Sequence, residues 1–458
     1  MKKVVISLII SSLLILLLCH CAGAEGWEQV VTGGFGETGN DYAWSMAVFK
    51  GKLYIGTLNF SKGGEIWRSD TGDPDSWQKV YDSPSSFFNN IGIRNLYVDG
   101  DEVMYACTVN SNGAEILRTT NGQRWVTVKN LRSRDNSAFR CMVRFGDYLY
   151  AGAGSNEAQL YRSRDGLNWQ AVNAKPGFTS TMVFDPSTGS KVVNNTMIGE
   201  LEVFNDQLYV FTWTREVRYR DIVEHMLGLN VAVPGRHDPS PGAFEVWRSH
   251  DGVNWEKVVG QDDAYGNGMG FCLRDPDAGM DNDAVISTAV FRGQLYAGTL
   301  NAHADTAIWR TSDGTQWTKV LDFFDLGEKA NYYVWRMIPF QGRLIIGTMN
   351  VGPTKKNPDV TGAQIWASDS GDPGTFYNLV HNGFDGETWS DGDKIKIPKN
   401  IGIRTFGIFH DTLFAGTATI ISTPVTKRES DGETRIAGRD IGCEVWRMIP
   451  DTSLVAGP

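Results

Sequence analysis

An internal repeat that recurs about every 60 residues constrains this chain most, because such a period is typical of solenoids and propellers. Seven copies are marked by an aromatic or aliphatic residue in an alternating apolar run: Tyr54, Tyr105, Tyr150, Tyr209, Tyr296, Ile345 and Phe414. A further segment follows each landmark, starting at Glu65, Glu115, Gln159, Glu245, Ala307, Gln364 and Glu444. Their alternation and their β-branched and aromatic residues predict strands.

A tight turn that ends in tryptophan leads to a fourth strand. Residues 119–125, 163–169, 249–255 and 311–317 all read Ser/Thr-x-Asp/Asn-Gly-x-x-Trp. The last copy lacks its fourth strand, whereas residues 27–31 match that strand in other copies. We therefore predict an all-β fold, a seven-bladed β-propeller of four-stranded antiparallel blades, closed by the N-terminal strand (about 27–31) completing the last blade.

The first residues have the composition of a targeting segment. Two lysines precede an apolar stretch, and residues 22–24 read Ala-Gly-Ala, the small-residue pattern of a cleavage site. We predict a signal peptide over 1–24, one domain over 25–458, and an exported protein in the periplasm, outside the cell or at its surface. Cys19 and Cys21 leave a lipoprotein as the alternative, and no later stretch has the about 20 apolar residues of a transmembrane span.

Charge and cysteine content narrow the range of partners. The formal net charge is −10, and the absence of a Lys/Arg run argues against nucleic acid. The four cysteines after the leader have no spacing typical of metal ligands, and their redox state stays open: Cys107, Cys141, Cys272 and Cys443.

The Ser-x-Asp-Gly-x-x-Trp turns resemble the Asp-box, or BNR, repeats of the sialidase-like β-propeller superfamily. That resemblance implies the propeller fold and leaves the activity open, because the superfamily includes sialidases, xyloglucan-cleaving hydrolases, sorting receptors and a photosystem assembly factor. The turn residues also have a local explanation: the acid or amide accepts turn N–H groups, glycine permits a positive φ, and tryptophan packs between sheets.

One face of the predicted propeller would hold the long, irregular connections, and such loops commonly carry function. They span residues 213–242, 260–283, 350–362, 381–400 and 418–442. An asparagine stands near the start of every first strand, and we expect it to bond the backbone there, with a polar collar around a ligand as the alternative: Asn40, Asn90, Asn136, Asn195, Asn282, Asn331 and Asn400.

Four residues after each asparagine the copies differ in chemistry, which makes this position the best source of candidate binding residues. It is occupied by Trp44, Arg94, Arg140, Gly199, Ile286, Trp335 and Arg404, and Glu200 and Arg336 come next in their copies. Guanidinium groups suit a carboxylate or sulfate. The alternative is an internal ion-pair network with Glu200, Glu202 or the acids that begin the third strands.

The loop-rich face carries two further candidate sites, one for proton transfer and one for a metal ion. His237 and His303 are candidate proton carriers, and His303 is added to the candidate ligand-binding residues. An acidic segment with four aspartates suits a Ca²⁺ ion in an exported protein, with a solvated acidic loop as the alternative: Asp275, Asp277, Asp281 and Asp283.

Three functional hypotheses remain at this stage. The first is recognition of an extended, acidic glycan, whose sugar rings stack on tryptophan while arginine holds the acid group. The second is a glycoside hydrolase or polysaccharide lyase of the same superfamily, which needs a paired acid and base. The third is a protein-assembly scaffold that binds a protein partner on the same face.

Overall fold

The computed structural model describes residues 26–84, 90–185, 189–214, 243–268, 282–301, 306–328, 330–350, 362–390, 396–419, 425–429, 432–436 and 441–449. The predicted signal peptide, residues 1–24, lies outside them. Within this part the protein is all-β, as predicted, and its helical structure is confined to three short 3-10 turns: Gly33–Gly36, Pro74–Ser76 and Arg134–Asn136.

Seven repeat units supply the strands of the main sheet. The strands of the first four units, preceded by the N-terminal strand, are β1 (Trp27–Val31); β2 (Tyr42–Phe49), β3 (Lys52–Leu58), β4 (Glu65–Ser69), β5 (Gln78–Asp82); β6 (Gly92–Asp99), β7 (Val103–Val109), β8 (Glu115–Thr119), β9 (Val126–Asn130); β10 (Ala138–Phe145), β11 (Tyr148–Gly154), β12 (Gln159–Ser163), β13 (Gln170–Ala171); and, after a separate hairpin of β14 (Met182–Asp185) and β15 (Ser190–Val193), β16 (Met197–Phe204), β17 (Gln207–Trp213), β18 (Val246–Ser249), β19 (Glu256–Val259).

The last three units follow the same order. Their strands are β20 (Ala284–Phe291), β21 (Gln294–Leu300), β22 (Ala307–Thr311), β23 (Thr318–Asp322); β24 (Asn331–Phe340), β25 (Arg343–Asn350), β26 (Ile365–Ser368), β27 (Tyr377–Val380); and β30 (Gly402–Phe409), β31 (Thr412–Ala418), β34 (Val445–Met448), with separate hairpins of β28 (Thr388–Ser390) with β29 (Lys396–Pro398) and β32 (Val425–Glu429) with β33 (Gly432–Ile436).

The organisation of the sheet corrects the sequence-based prediction. Single bridges join the second strand of each unit to the first strand of the next, as between Leu58 and Gly92 and between Ala418 and Tyr42. The 28 strands outside the three separate hairpins therefore belong to one sheet. Within it, the first two strands of every unit form a closed 14-strand barrel. The prediction of a seven-bladed propeller with four-stranded blades is wrong, because backbone ladders continue across the junctions that were expected to separate the blades.

The two ends of the described chain meet in one ladder. β1 pairs antiparallel with β34, with Trp27 opposite Met448 and Gln29 opposite Trp446. Arg447 donates from Nε to Glu28 at 2.7 Å across the same pair. This pairing supplies β34 with its outer neighbour, so that its edge is not left open.

The tryptophan-ending turns are held by their own polar residues. In residues 163–169 the Ser163 hydroxyl accepts the Gly166 N–H at 2.9 Å, and the Asp165 carboxylate accepts the N–H groups of Leu167 and Asn168. These hydrogen bonds lower the pKa of Asp165. Gly166 has a φ of +69°, and a Cβ there would lie 1.7 Å from the hydroxyl of Tyr105 in the preceding unit. The turn thus fixes the packing of neighbouring units.

The asparagines at the starts of the first strands anchor the third strands. Asn195 donates to Glu245 at 2.6 Å, and Asn400 donates to Glu444 at 2.7 Å. Glu245 also accepts the indole N–H of Trp247 and pairs with a lysine. Buried apolar clusters fill the spaces between neighbouring units, such as units four and five. The expected bonds to the backbone are present as well, because Asn40, Asn195 and Asn400 donate to the carbonyl oxygens of Gly34, Phe178 and Gly383 at 2.8–3.0 Å.

Candidate functional site

A β-bulge interrupts the first strand of every unit at the same place. In β2, for example, Ala43 lies opposite Thr57 and Ser45 opposite Gly56, so Trp44 has no partner residue. A bulge bends its strand and redirects the side chain of the extra residue. The seven bulge residues are Trp44, Arg94, Arg140, Gly199, Ile286, Trp335 and Arg404. These are the positions singled out by the sequence.

Tryptophan and arginine side chains alternate around part of this ring. The guanidinium of Arg404 lies over the ring of Trp335 at 4.8 Å and over that of Trp44 at 5.6 Å. The guanidinium of Arg94 also lies over Trp44, 5.6 Å from the centroid of its ring. Arg140 follows, 4.4 Å over Trp213. Indole faces attract cations, which explains how several guanidinium groups are held close together.

Aromatic rings connect units that are not neighbours along the chain. Tyr42 in the first unit lies 5.8 Å from Trp335 in the sixth, and Trp213 in the fourth lies 6.4 Å from Tyr333 in the sixth. Since these units are separated by others, the contacts reach across the centre of the ring. Together with the buried Trp44 they belong to one apolar cluster. The bulge residues therefore meet at the axis of the molecule.

Two glycines make room for the two indole rings. A Cβ at Gly92 would lie 2.2 Å from Cζ3 of Trp44, and a Cβ at Gly402 would lie 2.0 Å from Cζ3 of Trp335. Both glycines occur in the same pentapeptide, Asn-Ile-Gly-Ile-Arg, at residues 90–94 and 400–404. The arginine that ends each pentapeptide lies over the indole that its glycine admits. Sequence reasoning missed these glycines, although the repeated pentapeptide is a signal that could have revealed them.

Arg94 and Arg404 are buried without a carboxylate in contact among the described residues. Arg94 is 7% exposed and Arg404 5% exposed. Among the described residues neither has a carboxylate oxygen within 4 Å, and Arg404 Nε and Nη1 have no hydrogen-bond partner there. Burial and the charges of Arg404 and Arg140 lower the pKa of Arg94 well below its usual value, and burial and Arg140 lower that of Arg404 to about 9.

The opposite side of the axis carries acids. Glu200 Oε2 lies 3.6 Å from Nη1 of Arg336, which reaches it from two units away. Glu202, two residues along β16, accepts the hydroxyl of Thr288 at 3.0 Å. Burial raises the pKa of both carboxyl groups, against the lowering effect of Arg336. We call this group of residues the axial site: Trp44, Arg94, Arg140, Glu200, Glu202, Trp335, Arg336 and Arg404.

The strand-three acids do not neutralise the axial arginines, contrary to one sequence-based alternative. Glu65 binds Asn40, the indole of Trp67 and Lys79, and Glu444 binds an asparagine, a tryptophan and Lys399 in the same way. The sequence left open an internal ion-pair network around these arginines. Among the described residues, the pair formed by Glu200 and Arg336 is the part of that network that the structure shows.

Seven of the predicted ligand-binding residues therefore come together, and the other predicted sites are largely outside the described residues. His303 and three of the predicted calcium ligands, Asp275, Asp277 and Asp281, belong to that undescribed part. Asp283 is described, and its carbonyl accepts the N–H of Thr214 at 3.0 Å. In the described ranges no group of three His, Cys, Asp or Glu side chains is arranged to hold a metal ion. Cys107, Cys141 and Cys443 are buried thiols.

Comparison with protein families gives one match. The profile of the DUF6242 beta propeller domain matches residues 72–218, which is less than half of the chain. This match supports the assignment of the chain to a β-propeller superfamily. No curated protein has a matching sequence. Among the described residues no helix has the length and apolar character needed to cross a bilayer.

The solved structures that resemble this chain share little sequence with it. The computationally designed Ika8 protein is 12% identical with a TM-score of 0.39, and the alignment covers 93% of this chain and 98% of that one. A Trypanosoma rangeli sialidase in complex with sialic acid is 11% identical with a TM-score of 0.39 over 91% of this chain and 55% of its own. A putative glycosidase from Bacteroides thetaiotaomicron is 9% identical with a TM-score of 0.33, over 59% and 86%. This chain spans little more than half of the sialidase, and scores this low carry no argument about activity.

Proposed function

We propose that the protein is an exported binding protein that recognises an extended, acidic glycan at the axial site. The observation that carries the proposal is the burial of Arg404 between two indole rings, with two guanidinium nitrogens that no described residue binds. Burying a charge without a partner is costly. A carboxylate or sulfate would satisfy the guanidinium in the geometry it prefers.

The surrounding residues favour a ligand with more than one acid group. Trp44 and Trp335 flank the arginine and are buried against guanidinium groups, so they hold these positive charges in place. Arg94 and Arg140 add two more positive charges to the same wall. A ligand with repeated acid groups would gain a charge-assisted hydrogen bond at each guanidinium it reaches, and each such bond contributes about 1.5–3 kcal/mol.

The test compares an acidic and a neutral glycan of equal length. Isothermal titration calorimetry with the full chain should detect binding of an oligoglucuronate and much weaker binding of the matching oligoglucose. Arg404→Met and Arg94→Met should each lower the affinity for oligoglucuronate by about 10-fold or more. Arg144→Met is the matched control, because Arg144 lies at the far end of a first strand and is paired with Asp99. Equal binding of both glycans, or unchanged affinity in both axial variants, would refute the proposal.

Catalysis is the second candidate, and Glu200 and Glu202 favour it. Both carboxyl groups lie at the axial site with raised pKa values, as a general acid requires. Release of reducing sugar from oligoglucuronate, abolished in Glu200→Gln or Glu202→Gln while binding remains, would establish a glycoside hydrolase. Binding without turnover in the unaltered protein would leave recognition as the function.

A further inference from the structure

The acidic side of the axial site differs from the rest of the ring in its backbone. The bulge residue of the fourth unit is Gly199, so no side chain extends toward the axis there. A Cβ at this glycine would lie 2.3 Å from the carbonyl oxygen of Val285 in the next unit. Glu200 and Glu202 follow on β16 at alternate positions, and side chains two residues apart lie on the same side of a strand. Carboxylates thus replace indole and guanidinium groups in this sector.

These two carboxylates retain unused acceptor capacity. Glu200 accepts one backbone N–H, from Leu201 at 3.1 Å, besides its ion pair with Arg336. Glu202 accepts the N–H of Val203 at 3.1 Å and the hydroxyl of Thr288. An ionised carboxylate offers about four acceptor positions. Since the Glu200 side chain is only 13% exposed, bulk water has little access to the positions that remain.

The pattern of charges does not fit a network that serves only to neutralise itself. In a self-contained network Glu200 would contact Arg94 or Arg404. Burial lowers the pKa of Arg94 and the charge of Glu200 only partly opposes this, and neither Arg94 nor Arg404 has a carboxylate oxygen within 4 Å among the described residues. Arg404 is a second, independent indication of a ligand, because it is 95% buried and two of its nitrogens lack partners. Burial lowers the pKa of Arg404 most, and the charges of Arg140 and, to a smaller extent, Arg336 lower it further.

We propose that Glu200 and Glu202 form an acceptor subsite for hydroxyl groups, facing the arginines, so that the axial site selects a sugar acid over a simple anion. The inference rests on the proposed function, because it concerns the same ligand. The acid group of one sugar ring binds on the side of Arg94 and Arg404, and hydroxyl groups of that ring donate to the carboxylates. Selectivity then comes from unsatisfied acceptors, since a ligand without donors leaves them unpaired.

The test uses three probes with the full chain: D-glucuronate, acetate and methyl glucoside, titrated and followed by NMR chemical shifts. Glucuronate should bind at least about 10-fold more tightly than acetate, because a hydrogen bond to a charged group changes affinity by about that factor. Glu200→Gln and Glu202→Gln keep the shape of the side chain and remove its charge. In either variant the preference should fall to about threefold or less while acetate binds as tightly as before or more tightly.

Controls separate this inference from the proposed function. Glu256→Gln, an exposed carboxylate paired with Arg248, should keep the preference for glucuronate. If acetate and glucuronate bind the unaltered protein equally, or if both axial glutamine variants keep the full preference, the acceptor subsite is refuted and the arginine site stands. If neither anion binds, both proposals are refuted. Two variants are tested so that, if a melting curve shows one of them to be unfolded, the other decides.

Discussion

The sharpest test of the axial site is to remove the charge of Arg404 and measure stability instead of binding. We expect Arg404→Met to stabilise the ligand-free protein, whereas most substitutions of buried residues destabilise. Methionine fills a similar space, and its sulfur makes favourable contacts with aromatic rings. The expected gain follows from the burial of a guanidinium with unpartnered nitrogens.

The magnitude can be worked from two opposing terms. Burial lowers the pKa of Arg404 to about 9, and at about 1.4 kcal/mol per pKa unit this corresponds to about 5 kcal/mol of destabilisation by the charged form. The two indole contacts, at 4.8 and 5.6 Å, return about 1 kcal/mol each. The variant should therefore be more stable by about 3 kcal/mol. For a chain of 458 residues this raises Tm by about 3 °C.

The sign of the pH dependence follows from the direction of the shift. The charged guanidinium is present in the folded protein at pH values below about 9, so its penalty is complete at pH 7 and is relieved as pH rises above the lowered pKa. The stability gap between the variant and the unaltered protein, measured by urea unfolding, should be widest at pH 7 and narrower at pH 10. Added sulfate should also narrow it, because an anion that binds only the unaltered protein stabilises that protein.

A paired arginine provides the control. Arg144 donates to Asp99 at 2.6 and 2.5 Å, so Arg144→Met should lower the free energy of unfolding by up to about 1 kcal/mol. If Arg404→Met were instead destabilised by more than about 1 kcal/mol at pH 7, the guanidinium would have a compensating partner in the folded protein. The reasoning that leads from its burial to a ligand would then fail.

Three further predictions concern packing and titration. In Gly402→Ala the new Cβ would lie 2.0 Å from the ring of Trp335, so the free energy of unfolding in urea should fall by about 1–3 kcal/mol. The variant should also bind sulfate more weakly, because the displaced indole no longer holds its guanidinium. Unchanged sulfate affinity would contradict this. Gly166→Ala should lower the free energy of unfolding more than Gly189→Ala does. Gly166 has a φ of +69° and its Cβ would lie 1.7 Å from a tyrosine hydroxyl, whereas Gly189 has a similar φ and nothing within 4 Å. Gly189→Ala should therefore lower the free energy of unfolding by only about 1–2 kcal/mol. Sulfate should bind more tightly as pH falls through the raised pKa of Glu200, because protonation removes a negative charge facing three arginines; calorimetry from pH 8 to 5 on Glu200→Gln should show a flatter dependence.

Much of the strand framework can be read from the sequence because local patterns encode it. Alternating apolar residues around Tyr54 mark β2 and β3, and residues 27–31 coincide with β1, Trp27–Val31. The joining of units into one sheet could not be read in this way. Each junction depends on a single backbone bridge, such as Leu58 opposite Gly92, and one backbone pair imposes no requirement on side-chain type.

The axial site was predictable in its residues and not in its geometry. Counting from the asparagines identifies the seven positions, but it cannot reveal the bulge, since tryptophan, arginine, glycine and isoleucine all occupy it. The relevant property is the backbone register, which side-chain identity does not report. The contact between Glu200 and Arg336 spans two units, so no sequence spacing predicts it.

The bulge explains why variation in chemistry is concentrated at these seven positions. Side chains in regular strand positions stand perpendicular to the sheet and pack against the neighbouring unit, where a charge would need a partner in a closed apolar layer. The strand-three acids are such partners, but asparagine, tryptophan and lysine already occupy them, as at Glu245. The extra residue of each bulge is redirected toward the axis. A charge placed there, as at Arg404, is therefore separated from the acids of its own framework, and a bound ligand is the natural source of the missing partner.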